Sequence, residues 1–192
     1  GYLLAMSLAK KHNDAKKNLK KLSRSITSLF SKESFNKIRG ISKYLKEKEH
    51  AFILGKGENA CISLEGALKI KEISYKHVEG FAAGELKHGV IALIEKGTPV
   101  LGIIPSKKDS ASSDLINAME QVKARGAFTI GIGAKEFEDM SVFDRYIVTP
   151  QIENVSSIGN VIPFQLISYF LSVALGNNID KPRNLAKSVT VK

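Results

Sequence analysis

From residue 51 onward, short uninterrupted apolar runs alternate with helical stretches, and each run ends at glycine or proline. The runs are "AFILG" (Ala51 to Gly55), "TPVLGIIP" (Thr98 to Pro105), "FTIGIG" (Phe128 to Gly133) and "RYIVTP" (Arg145 to Pro150). A strand with one wet face alternates apolar and polar residues, whereas a strand covered on both faces is apolar throughout. The segments between the runs read as helices. One begins near Ile62. A second, "SSDLINAMEQVKARG", has Ser113 or Asp114 at its start and Gly126 past its end. A third runs from about Val155 to Leu175. Parallel strands joined by right-handed helical crossovers make a doubly wound α/β fold, a parallel sheet between two helical layers.

Such sheets bind ligands at the carboxyl ends of their strands. The first of those ends is "GKGENACIS", a glycine-rich turn where a phosphate cradle would sit. It matches neither the dinucleotide fingerprint nor the Walker pattern. It also sets Glu58 in the path of an anion and offers only Ser63 as a hydroxyl donor.

Residues 1–50 differ in texture. They read as three helices: one ending near His12, one from about Asp14 to Phe30, one from about Ser34 to Leu45. They also carry nearly all of the net charge of +10, with 13 Lys and Arg against 4 Asp and Glu. No aromatic residue interleaves with these lysines to stack bases, and no zinc-ligand or RNA-binding signature accompanies them, so nucleic acid is not the expected partner. The lone Cys61 excludes an internal disulfide and fits a reducing, cytoplasmic setting. The longest apolar stretch, "VIPFQLISYFLSVALG", is short for a span and interrupted by Pro163 and Gln165, so it reads as a buried helix without a membrane role. The opening "GYLLAMSLAKK" reads as the end of a helix already under way, as in a piece of a longer polypeptide.

The chemistry concentrates in "EGALKIKEISYKHVEGFAAGELKHG", Glu65 to Gly89. On a continuous helix, Glu65, Lys69, Glu72 and Lys76 fall within about 60° of one another. That is the spacing of a solvated face laced with ion pairs, and equally of a carboxylate and an ammonium held over a cleft to move protons. The helix runs into "GELKHG", which places His88 in a glycine-flanked loop; His77 is expected within the helix.

The stretch "SLEGALKIKEISYKHVEGFAAGELKHGVIALI" resembles the second sugar-isomerase (SIS) half of the glutamine–fructose-6-phosphate aminotransferase family, and "DKPRNLAKSVTVK" resembles that family's tail. "GKGENACISLEGALK", "EQVKARG" and "PFQLISYFL" fall between them in the family's order. The resemblance implies a flavodoxin-like three-layer SIS domain over residues 51–180, with residues 1–50 as helices leading into it and 181–192 as a catalytic tail. It implies conversion of fructose 6-phosphate and glutamine to glucosamine 6-phosphate and glutamate, without metal or organic cofactor. Glu72 would carry the proton between C1 and C2 of the sugar, Lys69 would work beside it at the sugar oxygens, and Glu65 would orient that ammonium. His88 would open the sugar ring from the neighbouring subunit of a homodimer. Lys187 would form an imine with the ketose carbonyl, and Ala186 would line the sugar. A glutaminase domain and a first SIS half, which holds the sugar phosphate, would belong to the same polypeptide, so this piece alone is expected to be inactive. Val90 and Lys192 stand where that family usually has proline and an acidic residue. A non-catalytic module that senses a sugar phosphate, or a stand-alone sugar-phosphate isomerase, are the alternatives.

Overall fold

The computed structural model describes residues 1–185. Five parallel strands form one sheet: β1 (His50–Gly55), β2 (His77–Ala82), β3 (Pro99–Ile104), β4 (Phe128–Gly133) and β5 (Arg145–Val148). Their spatial order is β2-β1-β3-β4-β5, a doubly wound order that bears out the flavodoxin-like class, with β2 as a strand the sequence reading did not include. Among the described residues six α-helices accompany them: α1 (Tyr2–Leu8), α2 (His12–Ser25), α3 (Lys32–Lys46), α4 (Glu58–Ser74), α5 (Ala111–Lys123) and α6 (Ser156–Leu175).

Successive side chains of a strand face opposite sides. Ile53, Leu101, Ile103, Ile130 and Ile132 therefore join α3, α4 and α6 in one core, through Ile41, Ile70 and Phe164 among others. Phe52, Leu54, Val100 and Ile104 join α5 and a 3-10 turn, Ala83–His88, in the other. The α4–α6 contact is close because Gly66 lies against Phe164. A Cβ at Gly66 would come within 2.7 Å of that ring. Similarly, a Cβ at Gly80 of β2 would meet the Ser63 carbonyl at 2.4 Å, so glycine lets α4 lie down on the edge of the sheet.

Several boundaries differ from expectation, each for a local reason. The first helix stops at Leu8, because Lys10 takes φ +58 and turns the chain. The second gives way at Ser25 to a 3-10 turn, Ile26–Phe30. The third starts two residues early, where the Ser31 hydroxyl caps it by accepting from the Ser34 N–H. α4 starts four residues before Ile62. α5 starts at Ala111, where the Asp109 carboxylate accepts the Ala111 N–H. Gly126 does lie past the end of α5, at φ +89.

The largest correction concerns residues 75–82. The helix does not continue through Lys76 and His77. It ends at Ser74, Tyr75 adopts the left-handed conformation at φ +61, and His77 opens β2. α6 meets the length and apolarity of a membrane span. Its Phe164, Ile167 and Leu171 are wholly buried between α3, α4 and the sheet, which makes it a core helix of this fold.

Candidate active site

α4 leaves the carboxyl end of β1 and returns to the amino end of β2, so its two ends serve different surroundings. At its start, the glycine-rich turn is fully engaged. The Lys56 ammonium pairs with Asp114. Asn59 is buried and accepts from the amide of Asn160, whose own oxygen accepts the Thr149 hydroxyl at 2.6 Å. The Ser63 hydroxyl donates to the Ala60 and Phe81 carbonyls. No hydroxyl of this turn is left over for a phosphate.

The far half of α4 carries the expected line of charge. Lys69 Nζ donates to Glu72 Oε2 at 2.7 Å and lies 3.7 Å from Glu65 Oε1. The Lys69 and Glu72 side chains are 29% and 31% exposed, sheltered enough to hold a geometry and open enough to meet a substrate. The hydrogen bond to Glu72 outweighs partial burial, and with the nearby charges of Glu72 and Glu65 it holds the Lys69 ammonium above its ordinary pKa. Lys69 is therefore a fixed cation near neutral pH, suited to steady a developing oxyanion and unsuited to act as a base. Glu72 uses Oε2 for Lys69. Its Oε1 accepts no hydrogen bond among the described residues, and a carboxylate with one tethered and one open oxygen can take up and return a proton.

Lys76 does not belong to this line. Beyond the helix end, its ammonium donates to the Lys46 and Lys48 carbonyls at 2.8 and 2.6 Å, closing the end of α3. His77 is exposed at the start of β2. His12 is half-buried and shares a hydrogen bond with Ser7.

His88 is the last residue of the turn Ala83–His88, exposed, and followed by Gly89 at φ +139. That turn follows β2 at its carboxyl end and packs through Ala83 and Leu86 into the core on the α5 side. Glu72 sits at the other end of β2 and on the other face of the sheet. A six-residue strand is about 17–20 Å long, so one chain does not bring Glu72 and His88 together.

Ala186 and Lys187 lie outside the described residues. The segment leading to them is held against the end of α4. Asn177 donates its amide to the Ile73 and Ser74 carbonyls at 3.0 and 3.3 Å. The Arg183 N–H donates to the Tyr75 hydroxyl at 2.9 Å, and the Arg183 guanidinium lies 4.1 Å from the centre of the Tyr75 ring. Sequence reasoning missed Tyr75, Asn177 and Arg183. Only Asn177, just after the helix-ending Gly176, carries a readable signal.

A groove of about 720 Å³ runs elsewhere, along α2, between Lys16, Lys17, Lys20, Lys21 and Arg24. All its walls come from that one helix, so nothing faces a ligand from a second side.

The SIS domain family matches residues 44–175. A glutamine–fructose-6-phosphate aminotransferase (isomerizing) of Pyrococcus horikoshii is 48% identical over 158 residues, covering 82% of this chain and 26% of that protein. The enzyme of that name from Cyanidium caldarium is 42% identical, covering 100% of this chain and 32% of its own length. The chain thus spans about a quarter to a third of these curated relatives. Among solved structures, the C-terminal domain of glucosamine-fructose-6-phosphate aminotransferase from Francisella tularensis superposes with a TM-score of 0.73 at 34% identity, over 90% of this chain and 47% of that one. With that match over residues 44–175, these relatives and a five-stranded parallel sheet between helical layers, the chain belongs to the SIS domain family.

Proposed function

We propose that this chain is the isomerase portion of a glutamine–fructose-6-phosphate aminotransferase, supplying the groups that move the proton between C1 and C2 of the sugar. The observation that carries this reading is the half-buried Lys69–Glu72 pair near the end of α4, with one carboxylate oxygen tethered and the other open.

The proposed chemistry is the one the resemblance to that family implies, and the Lys69–Glu72 geometry supports its proton-transfer step. The ε-amine of Lys187 adds to the C2 carbonyl of fructose 6-phosphate and water leaves, giving an imine. Ammonia released from glutamine by a separate domain then replaces the lysine at C2. Glu72 takes the proton from C1 and returns it to C2 while the C1 hydroxyl proton passes to the nitrogen at C2, leaving the 2-amino aldose. Lys69 steadies negative charge on the sugar oxygens, Glu65 steadies Lys69, and Ala186 lines the sugar beside Lys187. His88, which its own chain holds away from Glu72, opens the sugar ring in the neighbouring site of a homodimer. The separation of the two residues by the sheet supports that assignment. In this reading residues 1–50 lead into the domain, 51–180 form it and 181–192 are the tail. The remaining polypeptide contributes the glutaminase and the half that grips the phosphate. The setting is cytoplasmic, in keeping with the exposed free thiol of Cys61.

The test is isotope exchange in the full-length polypeptide. Glu72→Gln keeps shape and loses the base, so exchange of the C1 hydrogen with solvent should fall by about 10²–10⁴-fold while fructose 6-phosphate still binds. Exchange at the wild-type rate would remove Glu72 from the chemistry.

A further inference from the structure

The segment from Gly176 to Leu185 has little apolar hold on the domain. Its residues are mostly exposed, and Leu185 is itself 53% exposed. What secures it is polar and falls at two points of the same helix end. At the first, Asn177 closes the last carbonyls of α4. Asn178 then folds the chain back by accepting the Asp180 and Lys181 N–H groups. At the second point, Tyr75 receives the Arg183 N–H on its hydroxyl and the Arg183 guanidinium on its ring. A bond to a backbone N–H fixes the path of the main chain, and the stacked guanidinium adds a second restraint that fixes its direction.

Tyr75 itself is held in an unusual way. Left-handed φ is rare for a non-glycine residue and is the usual place of glycine after a helix. Here the site keeps a bulky aromatic residue at φ +61. Backbone strain of this kind persists where the surroundings require it. The requirement visible in the structure is the contact with Arg183.

We infer that Tyr75 is a positioning residue for the tail: through Arg183 it fixes the path of the chain across the end of α4, four residues ahead of Lys187. The inference rests on the role proposed for Lys187. Arg183 precedes Lys187 by four residues, a reach of at most about 14 Å, and Tyr75 follows Glu72 by three. A tail released from Tyr75 would search a larger volume, and imine formation would lose the advantage of a held amine.

The experiment uses the full-length polypeptide with fructose 6-phosphate and borohydride. Borohydride delivers hydride to the imine carbon and nitrogen takes a proton, leaving a stable secondary amine at Lys187 that mass spectrometry counts. Tyr75→Gly removes the anchor and relaxes the backbone at the same position, so the two effects separate. Its trapping rate and kcat should fall about tenfold or more with KM nearly unchanged, while Tm holds or rises. Tyr75→Phe keeps the ring and loses the hydroxyl, and Arg183→Ala loses the stacked cation without touching α4. Both should trap at intermediate rates. Wild-type trapping in all three, with trapping abolished in Lys187→Ala, would overturn the anchor and leave the lysine's role standing. A loss of trapping that follows a matching fall of Tm across the variants would also overturn it, by making Tyr75 merely structural. Wild-type turnover in Lys187→Ala would instead remove the reading on which the inference rests.

Discussion

The two ends of α4 are built to opposite standards. At the amino end, Asn59, Asn160 and Thr149 are 3%, 0% and 2% exposed and bonded to one another, and Lys56 and Ser63 are occupied as well. At the carboxyl end, Lys69 and Glu72 are about a third exposed, Tyr75 is in a rare backbone conformation, and the chain's final segment is tied on by polar contacts. In a doubly wound sheet the carboxyl ends of the strands are the usual place for a ligand. Here that end of α4 is closed by its own hydrogen bonds, and Lys69 and Glu72, the pair proposed to act on the sugar, stand near the amino edge of the sheet. Satisfied, buried polar groups specify a fold, whereas half-exposed paired ones remain available to a substrate.

The sharpest way to break this comparison is to exchange the phenotypes of the two ends. Asn160→Leu would strand the Thr149 hydroxyl and the Asn59 carbonyl without their partner. The expected cost is about 2–3 kcal/mol of stability, measured by urea unfolding, with C1 exchange per folded full-length molecule unchanged. A stable Asn160→Leu variant that loses exchange would place chemistry at the end described here as structural.

A smaller effect lies away from both ends, at Asp144. Burial pushes its carboxyl up, but the Lys123 ammonium and the Thr129 N–H and hydroxyl outweigh burial and hold it below the ordinary carboxylate value. A depressed folded pKa gives stability that is present above the unfolded value, near 3.9, and is lost as pH falls through the folded one. Asp144→Asn should therefore cost about 1 kcal/mol at pH 7 and flatten the acid limb of the stability profile below about pH 4. Lys69 works in the other direction. Its raised pKa gives stability that is lost only as pH rises through the folded value, above about 10.4, so it adds nothing to that acid limb.

The smallest effect is at Lys76. As a cap on the carbonyls of Lys46 and Lys48, its replacement by Met should cost about 0.5 kcal/mol and leave turnover unchanged. A large loss of turnover with normal stability would return Lys76 to the catalytic line.

What the sequence disclosed follows from what each segment buries. β1, β3, β4 and β5 were readable because strands covered on both faces are apolar along their length. β2 was not, because buried and exposed positions alternate at its start, with His77 and Glu79 exposed. Its polar residues extended the apparent helix. No glycine marks the stop at residue 75, so the left-handed tyrosine hid both the helix end and the strand behind it. Glu65, Lys69 and Glu72 were legible because spacing along a helix determines who meets whom. Lys76 was drawn into the line by the same rule, applied past the point where the helix stops. The glycines around His88 announced a turn. Its face of the sheet is set by Ala83 and Leu86 packing against residues far along the chain, which local spacing does not encode.

The separation of Glu72 from His88 gives the most direct test of the account. Full-length subunits carrying Glu72→Gln should be mixed with subunits carrying His88→Ala, dissociated and reassembled. Each parent should be nearly inactive. If a site pairs Glu72 of one subunit with His88 of the other, every mixed dimer holds one site with both lesions and one with neither. A statistical mixture should then recover about a quarter of wild-type activity. If Glu72 and His88 of the same chain share a site, every site in the mixture keeps a lesion, and activity stays at the level of the parents.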